Sequence, residues 1–113
     1  MNKNDIVVYF SASGETKEVA EKIANYLKCE LYEIIPKQIY NGKDLNWNDE
    51  KSRSTIECKD RSFRPPFIPD FNKKIEEYSN IILGFPVWWY LAPNIILSFL
   101  ESLKTPKKII YML

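Results

Sequence analysis

Four short apolar runs punctuate the chain, at residues 6–10, 31–35, 81–85 and 109–113. Each is rich in β-branched or aromatic residues and nearly free of polar interruption, which is the pattern of a strand covered on both faces in a parallel sheet. Between the first two runs, Thr16, Val19, Ala20, Ile23, Ala24 and Leu27 recur at steps of three and four, with Glu18, Glu21, Lys22 and Lys28 between them. That spacing predicts an amphipathic helix over about 15–28. Pro36 stops the second strand, so the first third of the chain reads as a strand–helix–strand unit with a right-handed crossover. Further on, Asp70 can cap a short helix carrying Phe71, Ile75 and Tyr78. Pro93 suits the first turn of a last helix whose inward stripe is Ile96, Phe99, Leu100 and Leu103, ending before Pro106.

Residues 36–69 break the alternation. They are rich in Asn, Lys, Asp, Ser, Arg and Pro, with isolated apolar residues such as Ile39, Tyr40, Leu45, Trp47 and Ile56. A connection this long inside a compact domain is a functional lid, an excursion with short elements of its own, or a mobile flap, and the pattern does not choose among them. With that one loop excursion, residues 1–113 read as a single α/β domain of the doubly wound class. Four parallel strands are joined by three helical crossovers, with helices on both faces. The last strand stays apolar up to Leu113, as an interior strand would.

Composition narrows the function. The 113 residues are 45% hydrophobic and 27% charged, an ordinary globular balance, and 16 Lys+Arg against 15 Asp+Glu leave a net charge of +1. Nucleic acid is therefore not an expected partner, because a phosphate-neutralising surface needs a clear basic excess. The chain has no His, which removes Ser-His and Cys-His machinery and most transition-metal sites, so no metal site is expected. Cys29 and Cys58 form neither a CxxC nor a paired-ligand pattern and read as reduced thiols of a cytoplasmic protein. Met1 is followed by polar residues and no apolar run approaches membrane-spanning length, so no membrane role is expected.

Two segments carry candidate chemistry, and both follow a strand at the carboxyl edge of the sheet, where open α/β proteins bind ligands. The first is Ser11-Ala12-Ser13-Gly14-Glu15-Thr16-Lys17. Backbone N–H groups at the helix start, the positive end of its dipole and three hydroxyls can together surround a phosphate. The plain alternative is that Ser13 only caps the helix and Gly14 only turns the chain. Three-glycine dinucleotide loops and GxxxxGK[ST] loops are both absent, and Phe10-Ser11-Ala12-Ser13 lacks the acidic cluster of a receiver domain. The second segment is Gly84-Phe85-Pro86-Val87-Trp88-Trp89-Tyr90-Leu91-Ala92-Pro93. Three adjacent aromatics outside a regular element suit recognition of a flat ring, although one or two of them could simply plug the sheet edge. A phosphate cradle and an aromatic platform at one edge describe a mononucleotide with a planar ring.

On these residues the chain resembles the flavodoxin family, in the branch that carries a Ser/Thr-x-Ser/Thr-Gly-x-Thr phosphate loop and a Gly-x-Pro-x-Trp-Trp segment. The excursion is similar to that branch too, in Asp44-Leu45-Asn46-Trp47, Ser52-Arg53-Ser54, Glu57, Asp60 and Arg64-Pro65-Pro66. The resemblance runs from Ile6 to Leu113 and implies a flavodoxin-like sheet, order 2-1-3-4 for the four strands present, without the family's last strand and helices. It implies flavin mononucleotide (FMN) as cofactor, with Ser11, Ser13, Gly14, Glu15, Thr16 and Lys17 holding the phosphate. Pro86, Val87, Trp88, Trp89 and Tyr90 would border the isoalloxazine.

The function so implied is electron transfer by an FMN-bound carrier serving a redox partner protein, with no side chain in a catalytic role. An FMN-dependent NAD(P)H reductase is an alternative of the same class. A different class is also open: a short flavodoxin-like domain that binds FMN weakly or not at all and works by association. Its fourth strand would expose unpaired backbone groups along residues 109–112 and invite a homodimer or a completing subunit.

Overall fold

A computed structural model describes residues 4–70, 73–88, 91–105 and 107–112. Its main sheet holds β1 (Asp5–Tyr9), β2 (Glu30–Glu33), β5 (Asn80–Gly84) and β6 (Lys108–Met112), all parallel, in the order β2-β1-β5-β6. A second, two-stranded ladder joins β3 (Ile35–Pro36) to β4 (Phe67–Ile68). The doubly wound α/β fold and the strand order expected from the sequence are both present.

Each strand of the main sheet begins one residue before its apolar run, on a polar residue. Asp5 opens β1 and Asn80 opens β5 directly beside it, and Asn80 Nδ2 donates to Asp5 Oδ1 at 2.6 Å. This side-chain bond satisfies two polar groups at the rim of an otherwise apolar sheet and locks the register of the two central strands.

The strands alternate their side chains between two cores. Val7, Tyr9 and Ile82 face α1 (Glu15–Leu27), which contributes Ala20 and Ala24. Ile6, Val8, Phe10, Tyr32, Ile81 and Leu83 face the other way, against Ile95, Ile96 and Phe99 of α3 (Asn94–Glu101) and against Tyr40 of the excursion. Each such aliphatic side chain contributes about 1.5–3 kcal/mol by leaving water. The tyrosine in the first layer stays protonated: burial, then the Glu33 carboxylate, push Tyr9 up to about 12.

Helix α1 ends on Lys28, which adopts the left-handed conformation (φ 54°, ψ 46°) and lets Cys29 N–H return to Ala24 O at 3.1 Å. Two helical expectations are corrected. The segment after Asp70 forms a single 3₁₀ turn, Ile75–Glu77, instead of an α-helix, and Phe71 lies outside the described residues. Helix α3 stops at Glu101, so Leu103 packs on the core from beyond it.

Residues 36–69 take the second of the three forms considered: an excursion with short elements of its own. The β3–β4 ladder closes its base, reinforced by Lys37 N–H to Pro66 O at 3.0 Å. Inside, Asn41 and Asp44 bond each other's backbone N–H at 2.9 Å, and α2 (Arg53–Lys59) is capped by the Ser52 hydroxyl. Arg64 forks onto the Glu101 carboxylate and ties the excursion to the end of α3.

The approach to β6 is held by Glu76. Its carboxylate accepts from Lys104 N–H at 3.0 Å, Thr105 N–H at 3.2 Å and the Thr105 hydroxyl at 2.7 Å, and the Lys107 ammonium lies 3.7 Å away. The two backbone and hydroxyl bonds, helped by Lys107, hold its pKa below the ordinary glutamate value. A lowered carboxylate stabilises the fold above its unfolded-state pKa, and that contribution disappears as pH falls through the folded value. In urea denaturation, Glu76→Gln will therefore lower the midpoint at pH 7 and match the parent chain at an acid pH where the folded carboxyl is protonated. An equal gap at both pH values would show that the ionised carboxylate is not what holds the segment.

Candidate functional site

Parallel registration of β1 with β5 sets Tyr9 opposite Gly84, and Phe10 N–H donates to Gly84 O at 3.0 Å. The chain leaves both strands at this point, into residues 11–14 on one side and 85–93 on the other. The two candidate segments thus start from neighbouring positions on one sheet edge.

In the first, Gly14 caps α1 with φ 97° and ψ −14°, and among the described residues no heavy atom beyond its chain neighbours lies within 4 Å of where a Cβ would be. Positive φ favours glycine there, and no described side chain fills the space over it. The Ser11 hydroxyl accepts from Gly14 N–H at 3.0 Å and shapes the turn. Ser13 is not the helix cap, which removes the plain alternative for it; it is exposed, and among the described residues neither Ser13 nor Thr16 uses its hydroxyl on a protein partner. Among the described residues no side chain caps the helix, so none of them takes up the first-turn N–H groups of Glu15, Thr16 and Lys17. Glu15 and Lys17 themselves are exposed and Thr16 half-buried. Among the described residues, the turn thus holds donors and hydroxyls that no protein group uses.

In the second segment, Trp88 and Leu91 exchange backbone hydrogen bonds, N–H to O, at 2.9 Å in both directions. This pairing brings the chain at Trp88 back against Leu91; the expected ring contacts Trp89 and Tyr90 lie outside the described residues. Pro86 is half-buried, and Val87 and Leu91 expose about half their surface, 52% and 45%. Trp88 is seated on the protein: its ring lies 5.4 Å from Tyr40 and 6.0 Å from Phe10, edge-to-face in both cases. It serves as the plug that the sequence left open for one of the three aromatics.

Behind Trp88 stands a buried polar cluster. The Tyr40 hydroxyl donates to Glu57 Oε1 at 2.5 Å, Arg53 Nε donates to Glu57 Oε2 at 3.0 Å, and the Arg53 guanidinium lies 3.7 Å over the Tyr40 ring. Burial, then the hydrogen bond and charge of Glu57, raise the Tyr40 pKa far above the ordinary tyrosine value. From the far side, Asn94 at the start of α3 donates to the carbonyls of Glu57 and Asp60 at 2.8 and 2.9 Å, and Arg61 Nη2 donates to Ala92 O at 2.8 Å. The Cys58 thiol, its pKa raised by burial, reaches Trp88 O at 3.8 Å. Helix α2 therefore seats the second segment from outside the sheet. Sequence reasoning passed over this cluster and read Tyr40 as an isolated apolar residue. The readable signal was the i,i+4 pair Arg53 and Glu57.

The family of this fold is now decided by comparison. The model of a flavodoxin family, Flavodoxin_4, matches residues 4–113. The chain belongs to the flavodoxin family. No curated protein matches it. Among solved structures, a protein from Bacteroides eggerthii assigned as a flavoprotein is 38% identical, with a TM-score of 0.90 over 97% of this chain and 69% of its own. One from Bacteroides uniformis is also 38% identical, with a TM-score of 0.89 over 98% and 71%. A flavoprotein from Lactobacillus acidophilus, solved in complex with FMN, is 28% identical, with a TM-score of 0.76 over 97% and 73%. Among the described residues of this flavodoxin-family chain, no helix is long and apolar enough to cross a membrane.

Tyr40→Phe tests the cluster. It deletes one hydroxyl and leaves Glu57 Oε1 buried without its donor, at a cost of about 1–3 kcal/mol in chemical denaturation. A loss below about 0.5 kcal/mol, the range of a neutral surface change, would show that this bond does not hold α2 in place.

Proposed function

We propose that the chain binds FMN at the edge shared by the two turns and works as an electron carrier. The observation that carries this reading is the open Gly14 cradle, with its free hydroxyls and first-turn N–H donors, beside a turn that presents apolar Val87 and Leu91. Ser11 shapes the cradle, while Ser13, Thr16 and the N–H groups of Glu15, Thr16 and Lys17 would hold a phosphate. Such donors bind a dianion without requiring a buried cation. Lys17 adds a positive charge nearby. The ring end would meet the residue 86–91 turn, with Trp88 fixed behind it by Phe10 and Tyr40. When bound, the flavin itself takes up and releases electrons, so the protein's part is to hold it and tune it. Support from outside the chain is the family match and the FMN complex of the Lactobacillus acidophilus relative. Two free cysteines suit work in a reducing cytoplasm.

FMN titration followed by visible absorbance and flavin fluorescence tests the proposal. The parent chain will bind about one equivalent. The double variant Ser13→Ala/Thr16→Ala will bind more weakly by about 1–3 kcal/mol, because charge-assisted hydrogen bonds to phosphate are lost. Equal affinity in the two proteins would remove the cradle from the site.

A second reading concerns association, favoured by β6. It is the outer strand of the described sheet, with Ile110 and Tyr111 exposed at 46% and 57%. We propose that this edge pairs with a second copy of the chain or with a partner protein, since an apolar strand at the edge of the described sheet is a template for strand addition. Solution mass decides it: a dimer or a stable hetero-complex is expected, and a monomer at all concentrations would contradict it.

A further inference from the structure

A cavity of about 480 Å³ opens against α2, and none of its described lining residues belongs to either turn of the proposed FMN site. Its wall carries both signs of charge. Three carboxylates line it, and two of them, Asp44 and Asp60, commit only one oxygen to the protein. Asp44 uses Oδ2 on Asn41 N–H, Asp60 uses Oδ1 on the Ser62 N–H and hydroxyl, and Glu57 is consumed by Tyr40 and Arg53. Asp44 Oδ1 and Asp60 Oδ2 accept no hydrogen bond from the described residues. The Ser62 bonds keep the Asp60 carboxyl below its ordinary pKa, so it is charged at neutral pH.

The cations are likewise left with capacity. Arg53 spends Nε on Glu57 and Nη1 on Gln38 O, and Nη2 has no partner among the described residues. Lys51, on the same wall, makes no ion pair among them. Between the charges lie two large apolar side chains, Ile56 and Phe63, exposed at 54% and 44%. Groups of this size that are half open to water inside a concave wall are the apolar half of a ligand pocket.

We propose that this cavity binds a small zwitterion with an apolar side chain, of the chemical class of a free apolar amino acid. The ligand's carboxylate faces Lys51 and Arg53 Nη2, its ammonium faces Asp44 and Asp60, and its side chain covers Ile56 and Phe63. A singly charged ligand would leave one sign of the wall unanswered, which is why both charges are required. Arg53 also lies over the Tyr40 ring that packs on Trp88, so occupancy bears on the cluster that seats the second turn.

The test needs no flavin, so its failure is separate from failure of the FMN proposal. Phenylalanine, 3-phenylpropionate and phenethylamine, which carry both charges, only the negative and only the positive, are titrated into the chain and followed by amide chemical shifts. Phenylalanine is expected to saturate, moving amides of residues 51–63, at least threefold more tightly than either singly charged probe. Lys51→Gln, an exposed change outside the folded cluster, is expected to weaken phenylalanine at least threefold and to leave phenethylamine unchanged. The proposal is overturned if phenylalanine gives no saturable shift below about 20 mM, weaker than any useful affinity. It is overturned equally if a singly charged probe binds as well, or if Lys51→Gln weakens all three alike.

Discussion

Parallel pairing between β1 and β5 decides where everything else in this molecule can be. Side chains along a strand alternate faces, so a slip of one residue would exchange the two cores and put Ile6, Val8 and Phe10 on the wrong side of the sheet. The Asp5–Asn80 bond at one end and the Phe10–Gly84 bond at the other hold that register. Because the strands end level, the chain must turn at adjacent positions, and the two turns share an edge. The site is a consequence of register before it is a consequence of any particular side chain.

Given that edge, the two turns are built on opposite principles. Residues 11–16 leave polar capacity unspent: a left-handed glycine, an uncapped helix start and, among the described residues, Ser13 and Thr16 hydroxyls without protein partners. Residues 85–93 spend theirs, through the paired Trp88–Leu91 backbone bonds and the Phe10–Tyr40–Trp88 packing. An anion is held best by donors that need no reorganisation, and a ring best by a turn that does not move, so the division suits a ligand with one charged and one flat end.

Sheet, strand order and the first helix were legible because they rest on periodicity, which a single chain displays. Strand starts were read one residue late because Asp5, Asn80 and Lys108 are polar, and their place in the ladder depends on partners far along the chain. The excursion was illegible for a related reason. Its order comes from a two-residue ladder, reciprocal Asn41–Asp44 bonds and contacts such as Asn94 to Glu57, none of which has a period. Both candidate segments were found by their position after a strand, and Gly14 by type. What spacing could not say is which aromatic faces inward. Trp88 turns to the core because Tyr40 and Phe10 offer it two ring edges, and Tyr40 is placed by Glu57 and Arg53, seventeen and thirteen positions away.

The central claim is that one edge grips both ends of a single ligand. A crystal structure of the chain grown with FMN tests it most directly. The account predicts phosphate oxygens on the N–H groups of Glu15 to Lys17 and on the Ser13 and Thr16 hydroxyls, with the ring against the turn around Val87 and Leu91. Phosphate held anywhere else, or a flavin touching only one of the two turns, would contradict it.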